Sequence, residues 1–310
     1  MKISIVIATF NAAHYLEACL KSCIEQSYLA KEIVVIDGGS SDGTIDIIRH
    51  YQKYIAFWES ERDNGIYDAW NKALDHITGT WVLFRGADDV FWDATVLKRI
   101  APTLLSAQPS EMVCYGPVVV VNRDGIIRRI LGAPWHEVKV RLLREMSLPH
   151  PGTFHHIDLF RRFGRFDSTL HLASDYDFLL RVFRQPGIDA IYAPDIIVSR
   201  MYDGGASGSA LFRSWIEAIA VRRKNHISGL PWIIYQRLLT NLLSLFMRRS
   251  LQWLFGRRWT DALYRRRYQH VSRRLQPRLA VLLGAFRGTE TAPDDNSRLV
   301  LGIADTRSIP

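Results

Sequence analysis

The chain has 310 residues, 48% hydrophobic and 23% charged, with no low-complexity tract. That suits one large α/β domain with an appendage and excludes a disordered or fibrous protein. The net charge of +9 is unevenly placed: residues 1–210 hold 22 Lys/Arg against 25 Asp/Glu, whereas residues 211–310 hold 18 against 6. Three cysteines, Cys19, Cys23 and Cys114, give no disulfide framework and point to a reducing compartment.

The N-terminal stretch "KISIVIAT" is a continuous β-branched apolar run, as expected of a strand buried on both faces. It opens without a signal-peptide pattern. The helix "HYLEACLKSCIEQS" follows, with Leu16, Cys19, Leu20, Cys23 and Ile24 on one face. Next come the strand "EIVVID", the turn "GGSSDGT", the helix "TIDIIRHYQ" and the strand "IAFWES". The helix "GIYDAWNKALDHI" then leads to a fourth strand, "TWVLFRG". This alternation implies βαβ units and a mainly parallel sheet. Beyond it, "MVCYGPVVVVNRDGIIRRIL" reads as two strands joined by a hairpin turn at 122–125, a small antiparallel annex. A short helix "DLFRRFGRFD", a helix "SDYDFLLRVFRQPG" capped by Ser174 and one late strand "AIYAPDIIVSRMY" complete the first two-thirds of the chain.

In an open parallel sheet, ligands bind beyond the carboxyl ends of the strands. Those ends here are Thr9, Asp37, the stretch Glu61 to Asp63, and the pair Asp88/Asp89. The first turn, "ATFNAAHY", has no glycine, so a dinucleotide-binding loop is absent, and no phosphate-binding P-loop occurs. A phosphate ligand would therefore need a cation. Asp88 and Asp89 suit Mg²⁺ or Mn²⁺, which bind through one or two carboxylates plus substrate phosphates. The blander reading is that Asp89 or Asp93 caps the helix "DATVLKRI". Asp37 likewise has a blander reading, as a turn residue serving "GGSS".

Taken together, "ISIVIATFNAAHYLEACLKSCIEQSY", "EIVVIDGGSSDGT", "DNGIYDAWNKAL", "GTWVLFRGADD" and "ASDYDFLLRV" resemble the inverting family 2 glycosyltransferases, of the bacterial polysaccharide-assembly type. The resemblance covers roughly residues 2–205. It implies a GT-A nucleotide-diphospho-sugar transferase fold. It places Thr9 in the nucleoside pocket, Asp37 on the uracil imide, and Asp63 and Asn71 near the base. It makes Asp88, with Asp89 adjacent, the Mn²⁺ or Mg²⁺ position, and Asp175 the catalytic base. "GGAS", with Gly204, Gly205 and Ser207, resembles a loop touching diphosphate or acceptor. Two departures stand out: Gly86 replaces the first carboxylate of the D-x-D pattern, and Ser174 precedes the base where Glu is common.

An inverting transfer needs a base for the acceptor hydroxyl and charge stabilisation for the leaving diphosphate. At a helix start, Asp175 is expected to feel the dipole and stay ionised; its blander reading is a helix charge only. Asp177, two residues on, is expected to cap the helix or face solvent. His150, His155 and His156 match no zinc spacing and read as acceptor-pocket residues, His150 foremost, or as surface histidines. A sugar-nucleotide nucleotidyltransferase would want a Gly-rich basic loop after the first strand, and a non-catalytic sugar-nucleotide binder is the other alternative.

The domains expected are a catalytic domain over 1–210, a basic amphipathic helical region over 211–290 and a flexible tail over 291–310. In "IIYQRLLTNLLSLFMRRSLQWLF", Arg237, Asn241, Ser244, Arg248 and Gln252 share one stripe opposite Leu239, Leu242, Leu243, Phe246, Trp253 and Leu254. That pattern suits an anionic membrane surface, or a helical subdomain on the core. The expected partners are a nucleotide-diphosphate sugar and a glycan or lipid-linked acceptor, with no nucleic acid. No uncharged apolar run reaches the ~18 residues of a spanning helix, so the expected location is cytoplasmic and peripheral to the inner face of the cell membrane.

Overall fold

The computed structural model describes residues 1–122, 125–203 and 211–227, with short pieces at 239–240, 246–247, 249–254 and 256. The "GGAS" loop residues Gly204, Gly205 and Ser207, most of the amphipathic stretch and the tail lie outside the described residues. Among the described residues, no helix is long and apolar enough to cross a membrane.

The first half follows the strand and helix alternation of the sequence: β1 (Ile3–Thr9), α1 (Ala13–Ile24), β2 (Lys31–Asp37), α2 (Thr44–Tyr51), β3 (Phe57–Ser60), α3 (Ile66–Ala73) and β4 (Trp81–Gly86). The short β5 (Val90–Phe91) and α4 (Val96–Leu105) come next. Strand β1 lies at the centre, parallel to both β2 and β4. Its alternate residues feed two cores. Ile3, Ile5 and Ile7 pack with Leu16, Cys19, Leu20 and Ile100 on one side. Val6 and Ala8 pack with Trp70, Phe84, Leu159 and Phe178 on the other. Helices cover both faces, which is why the strand reads as an unbroken apolar run. Full burial of each such isoleucine stabilises the fold by about 1.5–3 kcal/mol.

The second half departs from the expected pattern. The run 111–121 is two strands, β6 (Glu111–Tyr115) and β7 (Val118–Val121), broken at Gly116 and Pro117. The late run likewise divides into β10 (Asp189–Tyr192) and β11 (Ser199–Tyr202), with Pro194 in the break. Proline lacks the N–H that a central strand must donate. At these two breaks the chain leaves one sheet for another. β6 and β10 pair in parallel in the large sheet, and β7 and β11 pair in parallel in the small one. The small sheet, β5-β11-β7-β8 with β8 (Ile127–Leu131), is therefore mixed rather than purely antiparallel.

Three elements were not legible in the sequence: the short β5, α5 (Trp135–Leu142) and β9 (Thr153–His156), which runs antiparallel between β4 and β6. β9 completes the large sheet, ordered β10-β6-β9-β4-β1-β2-β3.

The helix α6 (Asp158–Phe163) precedes α7 (Ser174–Phe183), and α8 (Leu211–Lys224) packs on α7. Asp177, expected at a cap or in solvent, is fully buried. It accepts hydrogen bonds from Arg181 Nε at 3.1 Å, Lys224 Nζ at 3.1 Å and Asn225 Nδ2 at 2.9 Å, and so ties α8 to α7. Ser174 does not cap α7; the capping position is Ala173, and the buried Ser174 hydroxyl has no partner. Arg181 and Lys224 stay partly in water, so deleting the carboxylate chiefly costs its hydrogen bonds, that to the buried Asn225 amide above all. Asp177→Ala is expected to lower unfolding free energy by about 1–3 kcal/mol, read from the midpoint of urea denaturation.

Candidate active site

The register of the central strands sets the site. Thr9 pairs with Asp37, Asp37 with Ser60, and Ala8 with Gly86, so these strand ends share one rim. Behind Thr9 the backbone turns sharply, with Asn11 at a φ of 46°. Asn11 is fixed there by the loop after β2: its N–H donates to Ser40 Oγ at 2.7 Å, and its Oδ1 accepts from Ser41 N at 3.0 Å. This turn holds the Phe10 ring out into solvent, 61% exposed. The Thr9 hydroxyl beneath is buried and has no partner. A buried hydroxyl without a partner and an exposed aromatic ring side by side suit a planar ligand.

Asp37 is fully buried, and its carboxylate is saturated. Oδ2 accepts from Gly39 N at 3.1 Å, Ser40 N at 2.9 Å and Ser60 Oγ at 2.7 Å. Oδ1 accepts from Ser40 Oγ at 2.5 Å. In this arrangement it does the work of a turn residue. Asp63 is its better-exposed neighbour. A Cβ on residue 38 would fall 2.9 Å from Asp63 Oδ2, so the absence of a side chain at Gly38 is what lets the Asp63 carboxylate lie against the loop. Gly65 N donates to Oδ1 at 2.9 Å, and burial holds the Asp63 carboxyl above its usual range. Asn71, expected near the base, has both ends of its amide engaged with Phe166: Nδ2 donates to its carbonyl at 2.8 Å, and Oδ1 accepts its N–H at 3.0 Å.

The pair Asp88/Asp89 divides its roles. Asp89 is buried, and its Oδ2 accepts from Gly86 N at 3.0 Å, closing the turn. Burial first, and then the Asp88 charge, push its carboxyl up to about 7. Asp88 is half-buried, and burial raises its carboxyl too. Neither Asp89 nor Asp93 caps α4, whose capping position is Thr95; Asp93 closes the turn ahead of it, accepting from Thr95 N at 2.7 Å and Thr95 Oγ1 at 2.6 Å. Gly86 has a steric role: a Cβ there would sit 2.8 Å from Asp88 Oδ1. The bare backbone leaves room for the Asp88 carboxylate to lie over the strand end. Among the described residues, no three His, Cys, Asp or Glu side chains gather to enclose a metal. Asp88 nevertheless fits one, because it is a raised carboxylate without a cationic partner. A divalent ion bound there would need ligand oxygens to complete its shell.

Asp175 is half-buried at the start of α7. Its Oδ1 accepts from Tyr67 Oη at 2.9 Å and from Tyr176 N at 2.8 Å. The expectation of a dipole-lowered, firmly ionised carboxylate is overturned. Burial outweighs the helix terminus and the hydrogen bonds, and raises the carboxyl to about 6. A base poised near neutrality is better matched to taking and returning a proton. Tyr67 was not singled out in the sequence, because a tyrosine on a helix's apolar face reads as core.

Two of the three histidines, His150 and His155, are buried rather than on the surface. His150 is buried, stacks on Trp70 at 4.8 Å and is driven by burial to about 3. His155 is fully buried, and burial lowers its pKa well below the ordinary range. His156 is half-buried against Trp81. Neutral rings packed among aromatics are core groups, although His150 Nε2 has no hydrogen-bond partner.

The sequence model of the family "Glycosyl transferase family 2" matches residues 4–164. A PGL/p-HBAD biosynthesis glycosyltransferase of Mycobacterium tuberculosis is 32% identical over 219 residues, which is 70% of this chain and 83% of the relative. A cholesterol galactosyltransferase of Borreliella burgdorferi is 31% identical over 115 residues, 36% of this chain and 32% of the relative. Among solved structures, residues 1–349 of S. aureus TarS in complex with UDP-GlcNAc superpose with a TM-score of 0.58 at 22% identity, covering 73% of this chain and 65% of that one. Against another TarS structure, the chain spans only 37% of the length. Glucosyl-3-phosphoglycerate synthase of M. tuberculosis, in complex with Mn²⁺, UDP and glucosyl-3-phosphoglycerate, gives 0.52 at 14% identity, covering 72% and 79%. These structural likenesses establish a common fold.

The raised Asp175 carboxyl has a consequence for stability. Its folded value, about 6, lies above the ordinary 3.8, so the folded chain holds the proton more tightly than the unfolded chain. Its stabilising contribution is therefore full below about pH 4 and is lost as pH rises through about 6. Asp175→Asn mimics the neutral form. Urea midpoints of variant and wild type are expected to shift in the variant's favour between pH 4.5 and pH 7.5.

Proposed function

The chain belongs to glycosyltransferase family 2, and from that premise we propose that it is an inverting enzyme. It moves a sugar from a nucleotide-diphosphate donor, a UDP-sugar, to a hydroxyl of a glycan or lipid-linked acceptor. The observation that carries this reading is Asp175, a half-buried carboxyl raised to about 6 and fixed by two donors on one oxygen. The crystal complexes of TarS with UDP-GlcNAc and of glucosyl-3-phosphoglycerate synthase with UDP and Mn²⁺ support a uridine donor and a divalent cation. The cholesterol galactosyltransferase supports a lipid hydroxyl among the acceptors.

In this reading the uridine lies against Phe10 over the unpartnered Thr9 hydroxyl. Asp63 reads the uracil imide, because it has a free carboxylate oxygen where Asp37 has none. Asp37 shapes the loop on which that pocket rests. Asp88 is the side chain that would hold Mn²⁺ or Mg²⁺, with Asp89 adjacent. When bound, the ion neutralises charge on the departing diphosphate. Asp175 takes the acceptor hydroxyl proton as that oxygen displaces the diphosphate in line at the anomeric carbon. The catalytic domain is 1–210. The basic region over 211–290 serves a peripheral position on the inner face of a membrane, supported by its net charge and by exposed Leu239, Phe246, Met247, Trp253 and Leu254.

UDP release can be measured from a panel of UDP-sugars with a mixed acceptor extract, with and without Mn²⁺. Asp175→Asn is expected to cut turnover by about 10³-fold or more while donor binding holds. Asp63→Asn is expected to raise the donor KM by roughly tenfold with kcat little changed. Near-wild-type turnover in the Asp175 variant would defeat the assignment. The membrane role predicts salt-sensitive sedimentation of the full chain with phosphatidylglycerol vesicles; a chain that ignores them at low salt contradicts it.

A further inference from the structure

We infer that Tyr67 is the positioning residue for the base: it anchors Asp175 by Oδ1 and leaves Oδ2 as the atom that receives the acceptor proton. This rests on the reading of Asp175 as base.

Tyr67 is 5% exposed, and its ring is locked edge-on against Trp70 at 5.3 Å and tilted against Phe166 at 5.7 Å. Trp70 is itself held by a bond from Nε1 to the Arg85 carbonyl at 3.3 Å, at the strand end that leads to Asp88. A continuous packed path therefore joins the metal-side strand end to the base. At the base, Tyr67 Oη and Tyr176 N–H both donate to Oδ1, which fixes the plane of the carboxylate. Among the described residues, none donates to Oδ2. Burial and the nearby Asp175 charge hold the Tyr67 hydroxyl well above its usual range, so it remains a protonated donor across working pH.

The other charged groups around the base are accounted for. Glu217 on α8 faces Asp175 and disfavours its ionised form, while accepting from the N–H groups of His171 and Leu172 and pairing with Arg213 Nε at 3.2 Å. Asp177, on α7 with Asp175, is neutralised by Arg181 and Lys224. Against burial and Glu217, Tyr67 is, among the described residues, the one side chain that stabilises the carboxylate by a hydrogen bond. In the transfer, the acceptor O–H proton passes to Oδ2. The acceptor oxygen bonds to the anomeric carbon, and the carbon–oxygen bond to the diphosphate breaks with its electron pair on the diphosphate. Tyr67 keeps its proton throughout.

The test uses the full chain labelled with γ-¹³C aspartate, the Asp175 carboxyl being assigned by its loss in Asp175→Asn. Wild type should titrate near 6. In Tyr67→Phe the midpoint should rise by about one to two pH units. In a chain carrying 3-fluorotyrosine at position 67, a stronger donor of the same shape, the midpoint should fall. This second variant keeps the test decisive if the phenylalanine variant does not fold. The acidic limb of UDP release should move with each midpoint, with the donor KM within about twofold of wild type. Midpoints unmoved in the substituted chains would overturn the role of Tyr67, even with Asp175→Asn inactive. Full activity in Asp175→Asn would instead remove the base reading, which the titration does not address.

Discussion

The cost of holding carboxylates out of water organises this molecule. An ionised carboxylate in the interior must be met by donors or cations, or its pKa rises. The chain meets that demand fully at some positions and incompletely at others. Asp37 has four donors, Asp177 has Arg181, Lys224 and Asn225, and Glu32 has Lys2, Ser4, Thr78 and Gly79. Glu32 is drawn down to about 2 by those bonds despite its burial. These satisfied groups hold loops and helices in place. Asp63, Asp88 and Asp175 are all raised, with burial the leading cause. Asp63 and Asp88 follow the carboxyl ends of β3 and β4 and Asp175 faces Tyr67, and each keeps capacity for a further donor or cation.

That division explains why acids so close in sequence have different uses. Asp88 and Asp89 are adjacent, yet Asp89 closes its own turn through Gly86 N–H while Asp88 lies over the bare Gly86 backbone. Asp175 and Asp177 are two apart, yet one faces Tyr67 and the other anchors α8. Gly86 thus acts through space: a residue with a side chain there would compete with Asp88 for the same volume.

The parallel half of the fold was legible because its strands are buried on both faces and its helices are plainly amphipathic. The register that follows aligned Thr9, Asp37 and the turns carrying Asp63 and Asp88 on the rim expected from the strand ends; Asp175, on α7, is linked to them through Tyr67. Three features were illegible for physical reasons. β9 contains two histidines that read as pocket groups, whereas burial keeps His155 neutral inside the sheet. The breaks at Gly116–Pro117 and Pro194 divide runs whose apolar pattern continues across them, so periodicity alone joins what sheet geometry separates. The charge state of Asp175 depends first on burial, and then on Tyr67 of α3 and Glu217 of α8, distant in sequence, and the local helix dipole pointed the wrong way. Tyr67 was hidden for the same reason, since its only distinguishing contact spans 108 residues.

The most direct test is a crystal structure of the full chain with a UDP-sugar and Mn²⁺. The account predicts the ion on Asp88 and the diphosphate, the uracil imide on Asp63, and Asp37 still bonded to Ser40 and Ser60. Asp175 should present Oδ2 toward the anomeric carbon while Tyr67 holds Oδ1. An ion bound away from Asp88, or Asp37 released from its loop to read the base while Asp63 stands apart, would contradict it.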